Sequence, residues 1–207
     1  MFHPDSRFMS AFTLMADIVI LNMLLVVSSL PVVTGGAALR AANVVAGEMV
    51  QGRGSRYAML YLRSLTSRWK AATVFWVLLL VAAVALVYQQ FVVFQAGVDG
   101  FALTVIQALA VAGAFIIAGV AVWFYAFASM GTAERGFTEL ASDAVLAAFR
   151  FLPRTVVAVA IAAGAGWLVV SLPIAWAVPL TFFIVPGLAL YLIRLVLAAP
   201  LGQRLGD

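Results

Sequence analysis

The side chains that could carry chemistry in this sequence are few, and two of them interrupt its first apolar run. Asp17 and Asn22 stand among mostly aliphatic residues. A carboxylate in hydrocarbon costs at least about 2.5 kcal/mol on insertion scales, so Asp17 is a candidate for a substrate-linked or proton-linked role. Packing or solvation at the membrane interface explains Asp17 as well, because it stands near the predicted start of the run. Asn22 is predicted to form hydrogen bonds between helices.

Enzymatic chemistry has little support in the residue types. The sequence has no cysteine and a single histidine, His3, so thiol nucleophiles, thiolate metal ligands and an intramembrane serine–histidine pair have no residues to build them. Glu134, Glu139 and Asp143 form an acidic group, which a solvated helix face explains. We therefore predict a protein that is not an enzyme, with no catalytic residues, no bound metal and no cofactor.

A stretch rich in helix-breaking residues follows the first apolar run. Pro31 removes a backbone donor, Gly36 permits close backbone approach, and Thr34 is a predicted N-cap for the next helix. A structured exit from the membrane explains these residues without any ligand. The candidate functional residues of the whole region are Asp17, Asn22, Ser29, Pro31, Thr34 and Gly36.

The composition indicates that membrane helices position these residues. Of 207 residues, 66% are hydrophobic and 10% are charged, against roughly 45–50% and about 25% in soluble globular proteins. These values exclude a disordered chain, a fibrous repeat and a soluble enzyme. A hydrocarbon core about 30 Å thick needs roughly 20 apolar helical residues, and backbone groups in lipid must be satisfied within the segment. We predict an all-α polytopic bundle forming one integral membrane domain over residues 1–207, with about five spans at 11–33, 71–94, 103–128, 155–172 and 176–197.

The distribution of lysine and arginine predicts the orientation of the spans. The connections 34–70 and 129–154 contain most of the basic residues, whereas the turns 95–100 and 173–175 contain none. Cytoplasmic loops carry an excess of positive charge. Both long connections and the C-terminus are therefore predicted to be cytoplasmic, and an odd number of spans then leaves the N-terminus outside.

The two cytoplasmic connections have the apolar periodicity of amphipathic helices, over 38–51, 56–70 and 137–151. Such helices lie at the lipid headgroup level, with basic side chains against anionic lipid, or they form a docking surface for a cytoplasmic partner. Nucleic acid is not a predicted partner, because the basic residues are dispersed along membrane-proximal helices. The candidate docking or lipid-contact residues are Arg56, Arg63, Trp69, Lys70, Arg150 and Arg154.

Several short runs resemble the YesL-like family of bacterial integral membrane proteins. The resemblance is carried by Leu21-Asn22, by Ser29 to Thr34 followed by Gly36-Ala37-Ala38, by Tyr61 to Ser64, by Trp69 to Ala72 and by Phe149 to Thr155. Gly35 departs from the larger residue that the family often has there. The resemblance implies a multi-span protein of the bacterial cell membrane, with no established activity, that often accompanies carbohydrate ABC transporters.

Two functions are consistent with these observations. The first is a non-enzymatic accessory or regulatory component associated with carbohydrate transport, whose partners are membrane lipid and a membrane protein such as an ABC transporter. The alternative is a small transporter or permease-like subunit with a polar site near Asp17 and Asn22. Small residues at 163–166 offer a surface for close helix contact within or between chains, so the sequence does not fix an oligomeric state.

Overall fold

The computed structural model describes residues 7–53, 56–131 and 135–204, and these ranges are helical without strands. A short 3-10 helix, Val32–Thr34, joins the first two α-helices. The all-α prediction is confirmed. The α-helices are α1 (Arg7–Ser29), α2 (Gly35–Val50), α3 (Tyr57–Thr66), α4 (Trp69–Gln95), α5 (Gly100–Ala128), α6 (Phe137–Arg150), α7 (Leu152–Ser171), α8 (Ile174–Phe183) and α9 (Val185–Leu197).

The helices long and apolar enough to cross a membrane are those predicted, with one important difference. In the described residues α1, α4, α5 and α7 meet the length and hydropathy requirements, and α8 with α9 makes a fifth only as a pair bent by 51°. The sequence predicts one continuous span over 176–197. The break falls at Ile184 (φ −136°, ψ −51°), with Pro179 inside α8 and Pro186 in the first turn of α9. Proline removes a backbone donor and clashes with the preceding turn, which favours the break.

Helix α2 is buried in the bundle and is not a surface helix, in contrast to the amphipathic helix predicted for this segment. Of its sixteen residues only Leu39, Val44 and Glu48 are partly exposed. It packs against α1, α3, α4, α5 and α9. Its small residues permit this close approach: a Cβ on Gly36 would lie 2.4 Å from the carbonyl oxygen of Ala72 in α4. Glycine is therefore required at position 36 for packing.

Helices α1 and α2 form a hairpin that has an apolar tip and a polar open end. Leu21 and Leu25 of α1 share a buried cluster with the alanines of α2. At the tip, Leu30, Val32 and Val33 are 59–73% exposed. At the open end, the pKa of Tyr57 is raised, chiefly by burial and further by the negative charges of Asp17 and Glu48, so both acids lie near this phenol. The tip is held beside α4, where the indole nitrogen of Trp76 donates to Val32 O at 2.7 Å.

A second buried cluster joins the end of α5 to α4, α6 and α7. Phe75 of α4 stacks on Phe124 of α5 with ring centroids 3.9 Å apart. Trp123, which is fully buried, donates from Nε1 to Thr155 Oγ1 of α7 at 2.9 Å. These contacts fix the position of the C-terminal end of α5, where the polar groups described next converge.

Candidate functional site

The most deeply buried cation outside the apolar spans is Arg40, which is 2% exposed. Its Nε donates to Ala128 O at 3.0 Å, and one terminal nitrogen donates to Ser64 O at 2.9 Å and Ser67 O at 2.7 Å. These acceptors are carbonyls at the C-terminal ends of α5 and α3. Carbonyls at the C-terminal end of a helix carry the negative end of the helix dipole, which attracts a cation. Arg40 therefore joins α2, α3 and α5 through one guanidinium.

Burial changes the ionisation of Arg40 without neutralising it. Desolvation, together with the nearby charge of Arg68, lowers the pKa of Arg40 to about 10. The folded state therefore holds this proton less tightly than the unfolded chain, and the stability attributable to Arg40 rises with pH only above about 10, until the unfolded chain also loses the proton. At neutral pH the guanidinium is charged in both states.

A second buried arginine, Arg194 of α9, reaches the same end of α5. It is 1% exposed, and one terminal nitrogen lies 3.4 Å from Ala126 O while the other lies 3.5 Å from Gln203 Oε1. Gly47 of α2 makes room for it, since a Cβ there would lie 2.4 Å from the guanidinium. Two cations from different helices thus meet the negative end of one long helix, an arrangement that its dipole stabilises.

Asn22 provides the hydrogen bonds that the break between α8 and α9 leaves unmade. It is fully buried, and its Nδ2 donates to Thr181 O at 2.9 Å and to Phe182 O at 2.6 Å. The backbone nitrogen of Gly187 donates to Asn22 Oδ1 at 2.5 Å. The hydrogen bonding between helices that the sequence predicts for Asn22 is therefore present. All the polar atoms of this side chain are engaged with backbone.

The structure does not bring Asp17 and Asn22 into one polar site. Asp17 is half-buried and lies toward Glu48 and Tyr57 at the open end of the hairpin. Two pockets are described, of about 290 and 390 Å³, and neither is lined by Asp17 or Asn22. The larger one is lined by Ser29 and by apolar residues of the hairpin, α4 and α9.

The remaining motif residues shape the hairpin tip. The sequence predicts that Thr34 caps α2 with its side chain, and this prediction is wrong. The hydroxyl of Thr34 instead donates back to Ser28 O at 2.5 Å and to Pro31 O at 2.7 Å. The reason is that the chain is already helical at Thr34 (φ −81°, ψ −7°), whereas a capping residue has extended backbone. Pro31 is exposed at the tip. These residues form a structured turn.

The predicted docking residues lie on α3, α4, α6 and α7 or, for Arg56, directly before α3. Most are exposed, and Arg154 is partly exposed. Glu139 and Asp143, from the predicted acidic group, pair with Arg135, whereas Glu134 and His3 lie outside the described residues. The exposed members of the docking set are Arg56, Arg63, Trp69, Lys70 and Arg150.

Sequence reasoning missed the two buried arginines. Arg40 lies within the predicted amphipathic helix 38–51 and Arg194 within the predicted span 176–197, and neither prediction indicates a buried cation. One signal pointed to Arg40: it stands in a run of glycine and alanine, Gly35 to Ala42, that suits close helix packing better than a surface. For Arg194, neither neighbouring residues nor periodicity marks the side that faces inward.

Taken together, the apolar helices and the polar groups that join them define a polytopic α-helical membrane protein. Comparison with protein-family models, with curated proteins and with solved structures finds no match to this chain. The YesL-like resemblance therefore stays a prediction.

Proposed function

We propose that this chain is a non-enzymatic accessory or regulatory component of a membrane transport system, which acts by binding another membrane protein. The observation that supports the proposal is that buried polar side chains form hydrogen bonds between helices. Asn22 and Arg40 donate to backbone carbonyls of other helices. Groups committed to holding helices together are not free to bind a substrate.

The surfaces left for a partner lie on α3 and α6. Met59 and Leu62 of α3 are 66% and 51% exposed, and Leu146 and Phe149 of α6 are 68% and 57% exposed. Basic side chains border these apolar residues, which suits a membrane-proximal protein surface or anionic lipid. The resemblance to YesL-like proteins supports a carbohydrate ABC transporter as the partner.

Site-specific crosslinking tests the partner. A photo-crosslinking amino acid at Leu62 or Leu146 is expected to trap a sugar-uptake ABC transporter subunit in cells grown on its sugar, whereas the same group at Val84, which is 68% exposed on α4, traps lipid. Mass spectrometry identifies the adduct. A chain recovered without a protein adduct from both positions, or with the same adducts from Val84, would contradict the proposal.

A permease-like subunit is the second candidate, and the broken α8–α9 pair favours it. Discontinuous helices build the substrate sites of many transporters, with unwound backbone facing the ligand. In this chain Asn22 already occupies the carbonyls of Thr181 and Phe182 and the amide of Gly187. A transport function would require sugar flux in proteoliposomes that changes at Asp17 or Asn22.

We also propose a membrane topology in which the arginine-rich connections and the C-terminus are cytoplasmic. The sequence predicts an external N-terminus, on the premise that α1 crosses the bilayer. The hairpin supports a different path for α1, because Asp17, Glu48 and Arg53 stand at its open end and its exposed tip is apolar. Charge is costly in hydrocarbon, so the α1–α2 hairpin enters and leaves on the cytoplasmic side, and four crossings remain: α4, α5, α7 and the α8–α9 pair.

The cysteine-free sequence makes this topology directly measurable. Single cysteines replace Ser6, Arg63 and Ala96, and a membrane-impermeant maleimide is applied to intact cells. We expect Ala96→Cys, in the turn after α4, to react from outside, and the other two to react only after permeabilisation. Reaction of Ser6→Cys in intact cells would restore the five-span topology, and reaction of Arg63→Cys would overturn the cytoplasmic assignment.

A further inference from the structure

We propose that the pocket of about 290 Å³ at the end of α5 and the starts of α4 and α6 binds the phosphate of an anionic phospholipid. Three basic residues, Arg68, Lys70 and Arg135, line this pocket. Its remaining lining is mostly apolar and includes Val74 and Phe137. Basic pockets between membrane helices are typical sites for anionic headgroups.

The backbone and contacts of Arg68 hold it at this pocket. Its φ of 47° makes it the one non-glycine residue with left-handed backbone in the described part of the chain. Side chains rarely adopt this region, so the surrounding structure must enforce it. One terminal nitrogen of Arg68 donates to Gly131 O at 2.8 Å, across to the segment after α5. The guanidinium is thereby anchored on one side of the pocket.

Lys70 and the start of α4 add further positive potential. Lys70 is exposed and forms no ion pair with any residue that the structure describes. Arg68 is the N-cap of the 27-residue helix α4 and gives its first turn no side-chain cap. Uncapped amides at the start of a long helix attract anions.

Arg135 has a different role, because two carboxylates already pair with it. Its Nε lies 2.8 Å from Glu139 Oε1, and a terminal nitrogen pairs with Asp143. These pairs raise the pKa of Arg135 and fix the side chain at the edge of the pocket. Because they also offset its charge, Arg135 contributes less of the attraction for a phosphate than the exposed Lys70 does.

The outer surface of α4 distinguishes a lipid from a free phosphate as the occupant. Val74, which lines the pocket, is followed on the same helix face by Leu78 and Val81, and the three are 50–61% exposed. The spacing i, i+4, i+7 makes one continuous apolar stripe. A headgroup in the pocket therefore places an acyl chain along α4, which a free anion lacks.

Lipid retention measured by native mass spectrometry tests the site on the purified full-length protein. Delipidated protein in detergent is titrated with phosphatidylglycerol and, separately, with phosphatidylcholine. We expect preferential retention of phosphatidylglycerol, and about fivefold weaker retention for each of Lys70→Gln and Arg68→Gln. Lys70→Gln, at an exposed side chain, keeps the test valid if Arg68→Gln does not fold.

A matched variant separates this pocket from general attraction to anionic lipid. Arg204→Gln removes the same charge at an exposed position outside both the pocket and the predicted lipid-contact set, and it should retain phosphatidylglycerol as the unmodified chain does. Equal losses at all three positions, or no preference over phosphatidylcholine, would overturn the pocket. Displacement of the lipid by equimolar glycerol 3-phosphate or inorganic phosphate would show a free-anion site instead. The outcome is independent of whether a transporter is the partner.

Discussion

Replacement of Arg40 by methionine is expected to lower the free energy of unfolding by about 3 kcal/mol. The substitution leaves the carbonyls of Ala128 and Ser67 without this donor, whereas Ser64 O still accepts from the amide and hydroxyl of Ser67. A buried group without a partner costs about 1–3 kcal/mol. Removing the buried charge offsets part of this loss of stability, because no carboxylate pairs with Arg40 among the described ion pairs. Thermal unfolding in detergent, followed by tryptophan fluorescence, measures the loss.

Two variants sharpen the test of Arg40. Arg40→Lys keeps the positive charge but replaces the planar guanidinium, which donates in several directions, by a single ammonium group. Its free energy of unfolding should therefore lie between those of the unmodified chain and Arg40→Met. Arg63→Met makes the same change at an exposed position, where substitutions usually stay within about 0.5 kcal/mol. An Arg40→Met protein as stable as Arg63→Met would show that the carbonyls of Ala128 and Ser67 find other donors, and that Arg40 does not hold the helices together.

The positions of the helices were predictable from sequence, whereas the partners of the buried polar groups were not. Apolar runs of sufficient length imply helices because lipid offers no hydrogen bonds to the backbone. Arg40, by contrast, meets carbonyls 24, 27 and 88 residues away in the chain. No periodicity within α2 encodes such contacts. The apolar periodicity of this segment predicts an amphipathic helix. That periodicity is the same whether the polar side chains face water or face the ends of other helices.

The break in the last span shows which local signal was overlooked. Mean hydropathy over 176–197 is high throughout, and it conceals the two prolines that separate α8 from α9. Pro186, in the first turn of a helix, is an established sign of a helix start. The partner of the break, Asn22, lies more than 150 residues earlier, so only the folded chain connects the two.

Asn22→Leu is expected to destabilise the protein by about 2–4 kcal/mol and to loosen the junction of α8 and α9. Leucine has a similar volume but leaves Thr181 O, Phe182 O and Gly187 N without a partner. Asn22→Asp should be at least as harmful, because a carboxylate would face two carbonyl oxygens. Hydrogen exchange at Gly187 and neighbouring amides, with thermal unfolding, reports the loosening.

Asp17, on the same helix as Asn22, provides the matched comparison. Variants at these two positions distinguish a structural role of α1 from a role in transport. Asp17→Asn removes a half-buried charge that accepts no hydrogen bond from Asn22, so its stability should stay within about 0.5 kcal/mol of the unmodified chain. If Asn22 only joins helices, proteoliposomes show no sugar flux with any of these chains. Flux that Asp17→Asn abolishes while the protein stays folded would make the hairpin part of a conduit. In that case the hydrogen bonds of Asn22 would have to exchange with a substrate, and its leucine variant would lose flux beyond its loss of stability.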